Sequence, residues 1–363
     1  MRALIISGVK WDSIWSHAHE FSRALSENYS VIFVDPPGVL TGEQPHLKVL
    51  SRRPRGKIQV VEGGYSKRLG VEFFIRFELN AIKALLKENP DIVIFYNVLP
   101  GFITFILSKL SRKKIIFLYV DDHVELLNNK IARIITLLVL PLFVKYSDGV
   151  ISTARVLYKK SKKCPKAFYI PNGVHLDDLK FLGKIPHKIT NVYFIGTLGK
   201  WVRIEDFISL AKMGFRVFVI GSGERFNELQ AIAQNNSNIQ LYGYVDRDNA
   251  LIEIAKNCDL GIIPFFKNKL TDAVSPLKLF EFLALNKPVV ASSTVELESF
   301  EGYVLLYSTR KDLIEKVMSL KISPKLIKEI IKKNKKVLRN YDWGSHLKKK
   351  MLSAVRIITG EEA

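Results

Sequence analysis

Twice along its length the chain repeats one pattern: a short run of β-branched and aromatic residues, a longer amphipathic stretch, then another such run. In the first half these runs are ALIIS from Ala3, VIFVD from Val31, DIVIFYN from Asp91, KIIFLYV from Lys114 and GVISTA from Gly149. Then comes YIPNGV, whose Pro171, Asn172 and Gly173 form a strong turn signal. After a polar connection through about Ile189 the pattern restarts as NVYFIGT, RVFVIGSG, NIQLYGYV, LGIIPFF, PVVASS and YVLLY. Strands alternating with helix-length segments pair in parallel, because a helix-sized crossover returns the chain to the same sheet edge before the next strand begins. The expected fold class is α/β, with two Rossmann-like doubly wound domains facing a cleft. The first domain is expected over 1–173, a linker over 174–190 and the second domain over 191–340. From Asp312 onward the pattern is helical, Ile, Leu and Val recurring in a Lys-rich background, and 341–363 is expected as a helix packing back on the first domain.

At 363 residues the chain is longer than one hydrophobic core usually spans, and its 48% apolar and 25% charged residues exclude a disordered chain. The two cysteines, Cys164 and Cys258, stand far apart and outside any C-x-x-C pair, which argues against a disulfide framework or zinc site and fits a reducing cytoplasm. The opening MRALIISGVK is a strand broken by Gly8 and Lys10, unlike a signal peptide. The longest apolar run, Ile134 to Val144, contains Pro141 and falls short of the roughly 18–20 residues a spanning helix needs. Such a run is expected as a buried core helix; the alternative is a membrane-facing helix between Arg133 and Lys145.

Fifty-five basic against 35 acidic side chains leave a formal charge of +20, which attracts phosphate-bearing partners: nucleotides, nucleic acid or anionic lipid headgroups. Eleven of the surplus charges lie in 310–356, including Lys332, Lys333, Lys335, Lys336, Lys348, Lys349 and Lys350. A second basic stretch comprises Arg52, Arg53, Arg55, Lys57, Lys67, Arg68 and Arg76. Solvated faces are the plain reading of both.

The most informative segment runs from Val274 to Ser292. Pro276 suits the first turn of a helix that starts near Ser275, Leu277, Phe280, Leu283 and Ala284 form its inward face, and Asn286 is placed as its C-cap. The free N–H groups and positive dipole end of such a helix bind phosphate, and Lys278 adds a full charge on the first turn. Glu281 follows on the same face, placed to accept hydrogen bonds from ribose hydroxyls; the plain alternative is a surface i,i+3 pair.

SPLKLFEFLALNKPVVAS resembles the donor-binding motif of GT-B glycosyltransferases, in particular the glycosyl transferases group 1 (GT4-like) family, which includes surface-polysaccharide and glycan biosynthesis enzymes. The resemblance extends to NVYFIGTLG, RVFVIGSGE, the stretch from Asn238 to Phe265, and IPNGV, covering essentially the second half. It implies a nucleotide-sugar donor whose diphosphate is held by Lys278 and the backbone of Ser275, Pro276 and Leu277, with Glu281 on the ribose. Gly196, Lys200 and Arg203 become candidates for a loop over the phosphates. The base is expected against Gly243, Tyr244 and Val245, with Gly221 and Gly223 allowing close backbone approach. Many family members carry a second glutamate eight positions before the counterpart of Glu281; here that position is Ala273, with Asp272 beside it, which leaves retention or inversion of stereochemistry open.

In the first domain Asp121, Asp122 and His123 follow the strand KIIFLYV. An aspartate at that strand end can deprotonate an acceptor hydroxyl, or cap the next helix. Gly8, Trp15, His17 and His19 lie in and after the first loop and are expected on the acceptor side, Trp15 as a sugar platform or as packing. His17 and His19 lack the helical spacing of a metal pair, and no cofactor or metal dependence is expected. The expected function is transfer of a sugar to a lipid-linked glycan acceptor, on the cytoplasmic side, with an anionic membrane surface as a further partner. The alternatives are a nucleotide-sugar epimerase of the same architecture, a non-catalytic partner subunit and, with no reading motif beside its charge, a basic nucleic-acid-binding protein.

Overall fold

The computed structural model describes residues 1–12, 16–39, 57–67, 70–127, 129–179 and 183–361. The chain divides into two compact units: Met1–Pro171 with Lys348–Ala363, and Asn172–Leu347.

Through unit 1 it runs β1 (Arg2–Ile6), α1 (His17–Leu25), β2 (Ser30–Val34), β3 (Gly38–Val39), β4 (Ile58–Val61), β5 (Tyr65–Ser66), α2 (Val71–Glu88), β6 (Ile92–Phe95), α3 (Phe102–Leu110), β7 (Lys114–Tyr119), α4 (Lys130–Tyr146), β8 (Gly149–Ser152), α5 (Arg155–Ser161) and β9 (Ala167–Tyr169). Among the described residues, seven strands form an all-parallel sheet in the order β4-β2-β1-β6-β7-β8-β9. The chain winds outward from β1 through β2 to β4, then returns to β6 and winds the other way, so the order reverses between β1 and β6. Every residue of β6 and β8 is buried, as a parallel sheet covered on both faces requires. Phe143 of α4 stacks on Phe105 of α3 at 4.2 Å and meets Phe95 and Phe117 of the sheet at 5.5 Å, tying both helices down. Burying a phenylalanine of this kind contributes roughly 2–3 kcal/mol.

The expectation of a core helix over Ile134–Val144 is not met. Thr136, Val139, Phe143 and Val144 of α4 are buried, but Ile134, Ile135, Leu137, Leu138 and Leu142 face solvent. The run is apolar all round, and only one of its faces meets the sheet. No described helix is long and apolar enough to cross a membrane.

Unit 2 contains α6 (Leu176–Leu179), β10 (Asn191–Ile195), α7 (Ile204–Lys212), β11 (Arg216–Ile220), α8 (Phe226–Ala233), β12 (Ile239–Gly243), α9 (Arg247–Asn257), β13 (Leu260–Ile263), α10 (Lys269–Asp272), α11 (Leu277–Ala284), β14 (Val289–Ser292), α12 (Val295–Glu298), β15 (Leu305–Tyr307), α13 (Arg310–Ile322) and α14 (Pro324–Leu338). Its parallel sheet has the order β12-β11-β10-β13-β14-β15, which reverses between β10 and β13. Side-chain caps open its helices: Asp246 accepts from Asn249 N–H, Thr309 from Asp312 N–H and Ser323 from Leu326 N–H, with Pro324 at the first position of α14.

Asn172 and Gly173, the predicted turn, run beside the end of unit 2. Val174 pairs with Asp342, donating to Tyr341 O at 2.9 Å and accepting from Trp343 N–H at 3.0 Å. A Cβ on Gly173 would stand 2.2 Å from Tyr341 O, so only glycine fits. Helix α15 (His346–Thr359) then closes unit 1, where Ile358 is fully buried and packs against the bare backbone of Gly149.

Candidate functional site

In open parallel sheets, ligands bind beyond the carboxyl ends of the strands where the strand order reverses. In unit 2 that place lies past Ile195 of β10 and Ile263 of β13, and Lys278 occupies it. Its ammonium lies over the rings of Phe194 at 4.2 Å and Phe265 at 5.0 Å, one from each strand end. It is also the atom an added Cβ on Gly196 would meet, at 2.8 Å. No described carboxylate pairs with it. Burial pulls its pKa from the ordinary lysine value down to about 7, against a smaller upward pull from Glu281. Two aromatic faces soften the desolvation without supplying a counter-charge. The result is a half-charged amine at a helix start, poised for an anion.

Helix α11 begins one residue later than the sequence suggests. Pro276 is its N-cap in an extended conformation, and Asn286 sits beyond the C-cap Leu285 at φ 57, donating to Gly183 O. Among the described residues the Leu277 and Lys278 N–H groups have no backbone acceptor. Ser275 anchors the approach to this helix. Its hydroxyl accepts from Asn172 N–H at 3.2 Å and its carbonyl from the Asn172 side chain at 2.6 Å. Glu281 is buried and accepts from Arg247 Nε at 2.8 Å. Asp272 does not fill the place left by Ala273, because its carboxylate accepts from Val295 N–H at 3.0 Å at the start of α12.

Several donor-side candidates have other employment. At the positive-φ glycines Gly221 and Gly223 an added Cβ would approach the carbonyl oxygens of Gly196 at 2.0 Å and Leu198 at 2.7 Å. They let the loops after β10 and β11 lie against each other. Arg203 caps α7 and is drawn into the interior. Its Nε pairs with Asp206 at 3.0 Å, its guanidinium lies over the Tyr307 ring at 4.9 Å, and Tyr307 donates to the same Asp206 at 2.6 Å. Lys200 is exposed and pairs loosely with Glu224 at 3.6 Å. Tyr244 and Val245 follow β12 with Tyr244 in solvent, and Gly243 accepts from Gly221 N–H at 2.6 Å. Asp246-Arg247-Asp248 is an Asp-x-Asp triplet, but Asp246 is used as the cap of α9 and Arg247 as the partner of Glu281.

In unit 1 the two aspartates after β7 separate by role. Asp122 is buried, accepts from Val124 and Glu125 N–H groups and pairs with Lys160 at 2.6 Å, so in this structure it caps and bridges, the alternative the sequence also offers for it. Asp121 is half-buried and makes no hydrogen bond or ion pair among the described residues. Burial first, and then the charge of Asp122, push its pKa up to about 6. His123 lies parallel to Tyr119 with ring centres 6.0 Å apart; its Nε2 is buried without a hydrogen bond, and burial lowers its pKa to about 4. His17 is likewise buried, with its pKa lowered by burial to about 4. Both rings are neutral at pH 7. Gly8 lies at the reversal between β1 and β6, where a Cβ would strike the Asn97 side chain at 2.0 Å, so its glycine serves that contact. Trp15 lies outside the described residues, as do Arg52, Arg53, Arg55 and Arg68.

Sequence reasoning missed Arg247, Asn172, Phe194 and Phe265. Each meets a partner on a different element, well beyond the reach of one helix or strand, and no local spacing marks such a pairing.

Residues 182–320 match the glycosyl transferases group 1 family. This segment is similar to glycosyl transferases group 1 domains. It contains β10, the two glycine loops, Lys278 and Glu281. No curated protein sequence matches the chain. Solved structures share its fold at low identity. Sucrose-phosphate synthase from Thermosynechococcus elongatus aligns with a TM-score of 0.75 at 15% identity over 99% of both chains. HepE of Anabaena, in complex with UDP and glucose, aligns at 0.73 and 13% over 98% of this chain and 99% of that one. WaaG, a glycosyltransferase involved in lipopolysaccharide biosynthesis, aligns at 0.67 and 13% over 99% and 100%. The two units thus have the two Rossmann-like folds of GT-B structures.

Proposed function

We propose that the protein transfers a sugar from a nucleotide-sugar donor to a lipid-linked glycan acceptor, in cell-surface polysaccharide or glycoprotein glycan biosynthesis, at the inner face of the cell membrane. The observation that carries the reading is the unpaired Lys278 ammonium at the strand-order reversal of unit 2, beside the start of α11. A nucleotide diphosphate supplies the charge it lacks, and the family match of that domain and the UDP and glucose of the Anabaena relative favour the same ligand class.

In this mechanism Lys278 and the free N–H groups of Leu277 and Lys278 hold the diphosphate and stabilise the negative charge that develops as the bond from the sugar's anomeric carbon to phosphate oxygen breaks. No metal is required for that charge. Glu281, oriented by Arg247, accepts from the ribose hydroxyls, and the base rests by Tyr244 and Val245. The acceptor oxygen bonds to the anomeric carbon and loses its proton to the Asp121 carboxylate, whose raised pKa suits a base near neutrality.

The test is thermal stabilisation by UDP-, GDP-, ADP- and dTDP-sugars, because a ligand that binds only the folded state raises the midpoint. One nucleotide family should stabilise the wild type, and Lys278→Ala should abolish the shift. Absence of any shift in the wild type would sink the reading.

A further inference from the structure

On unit 1, three consecutive helices turn apolar side chains to solvent. Along α4 Ile131, Ile134, Leu137 and Leu138 are 70, 58, 52 and 70% exposed. Next to it α3 exposes Ile103, Ile106 and Leu110. Beyond α3, the helix α2 presents Val71, Ile75 and Leu79 at four-residue spacing. The helices are neighbours: α2 packs on α3, and α3 is joined to α4 by the Phe105–Phe143 stack. Single exposed leucines are ordinary on a protein surface, but ten exposed apolar residues on three neighbouring helices are not.

The charges around this face select its occupant. Helices α3 and α4 contain no acidic residue, and α4 carries Lys130 and Lys145 at its two ends. Along α2 the cations Arg76, Lys83 and Lys87 are balanced by Glu72, Glu78 and Glu88, so the basic character of the face comes from α3 and α4. Two copies meeting through this face would bring like charges together in a chain that already carries +20. An apolar helix about 26 Å long with cations at its ends suits the boundary between headgroups and acyl chains, where the leucines enter the hydrocarbon and the lysines reach anionic phosphates.

We propose that the outer face of α2, α3 and α4 docks on an anionic lipid bilayer, with α4 lying in the membrane plane. This deepens the proposed use of a lipid-linked acceptor and rests on that reading for its purpose, though its geometry does not depend on the donor site. Docking would hold unit 1 where lipid-borne acceptors diffuse in two dimensions.

The experiment measures co-sedimentation of the purified protein with vesicles of phosphatidylglycerol and phosphatidylcholine, and with phosphatidylcholine alone, at low and high salt. Wild type should partition at least tenfold more strongly to the anionic vesicles at low salt. Ile134→Ser with Leu138→Ser, and separately Lys130→Glu with Lys145→Glu, should each lower that partition at least tenfold. These side chains lie outside the core, so both variants should keep the wild-type melting midpoint and its shift with nucleotide-sugar. Loss of the nucleotide shift in wild type with vesicle binding intact would remove the transferase reading and leave docking standing. Wild type that ignores anionic vesicles, or variants that bind as well as wild type, would overturn the proposal. So would a concentration-dependent dimer, seen by light scattering and abolished by the serine variant, in a protein that leaves vesicles alone; it would assign the face to a second copy.

Discussion

Because Lys278 is pulled to a pKa of about 7 while the protein is empty, donor binding should be linked to proton uptake at that one amine. A bound diphosphate favours the charged form and returns the pKa toward that of an ordinary lysine. At pH 8 the empty site is about 10% protonated and the filled site almost fully so, and binding should take up about 0.9 proton; at pH 6 the uptake should be about 0.1. Affinity should accordingly fall about tenfold between pH 7.5 and 8.5. The empty protein responds with the opposite sign. A lysine whose pKa is lowered by folding binds fewer protons in the native state between about pH 7 and 10, so its contribution to stability rises with pH across that window. Isothermal titration calorimetry in two buffers of different ionisation enthalpy reads the proton count directly, and Lys278→Met provides the control, with no linked proton and no loss of fold. Donor affinity unchanged from pH 6 to 8.5, with heats independent of buffer, would refute the assignment of the diphosphate to this amine.

Two other perturbations probe the remaining chemistry and the backbone beneath it. Asp121→Asn should lower kcat by roughly 10²–10⁴-fold while leaving the nucleotide-sugar thermal shift intact. In the wild type kcat/KM should rise with pH through about 6 as this carboxylate loses its proton, and a variant with wild-type kcat would remove it from the reaction. Gly221→Ala would place a Cβ 2.0 Å from the Gly196 carbonyl oxygen at φ 139. It should cost more than about 2 kcal/mol in denaturant unfolding, and a loss under about 0.5 kcal/mol would show that the two loops part easily.

The two-sheet architecture was legible because buried parallel strands are written as uninterrupted apolar runs, and β6, β7, β13 and β14 stand out against polar helices. The edge strands β4 and β9 were not read. Each is short and only partly buried, and Gln59 breaks the apolar run of the first. Lys278 and Glu281 were legible because phosphate binding at a helix start leaves a local signature. The division of labour between Asp121 and Asp122 was not, since it depends on Lys160, thirty-eight residues on. The contacts of Arg203 were hidden for the same reason: a basic residue in a phosphate-facing loop and one that anchors a helix to Asp206 and Tyr307 read alike until the fold brings Tyr307 beside it. The exposure of α4 was hidden because an apolar run states what its side chains avoid and says nothing of which face the sheet covers.

The discontinuity of unit 1 has a consequence for the order in which the chain can fold as it is synthesised. Residues 172–347 form one unbroken stretch and can complete their core as soon as they emerge. The first 171 residues, although made earlier, complete their packing only with residues 348–361, because Ile358 fills the space over Gly149, Lys166 donates to Ile357 O at 2.7 Å and Tyr29 donates to Glu361 at 2.9 Å. The usual sequence of N-terminal domain first would thus leave unit 1 without its closing helix until the end of synthesis.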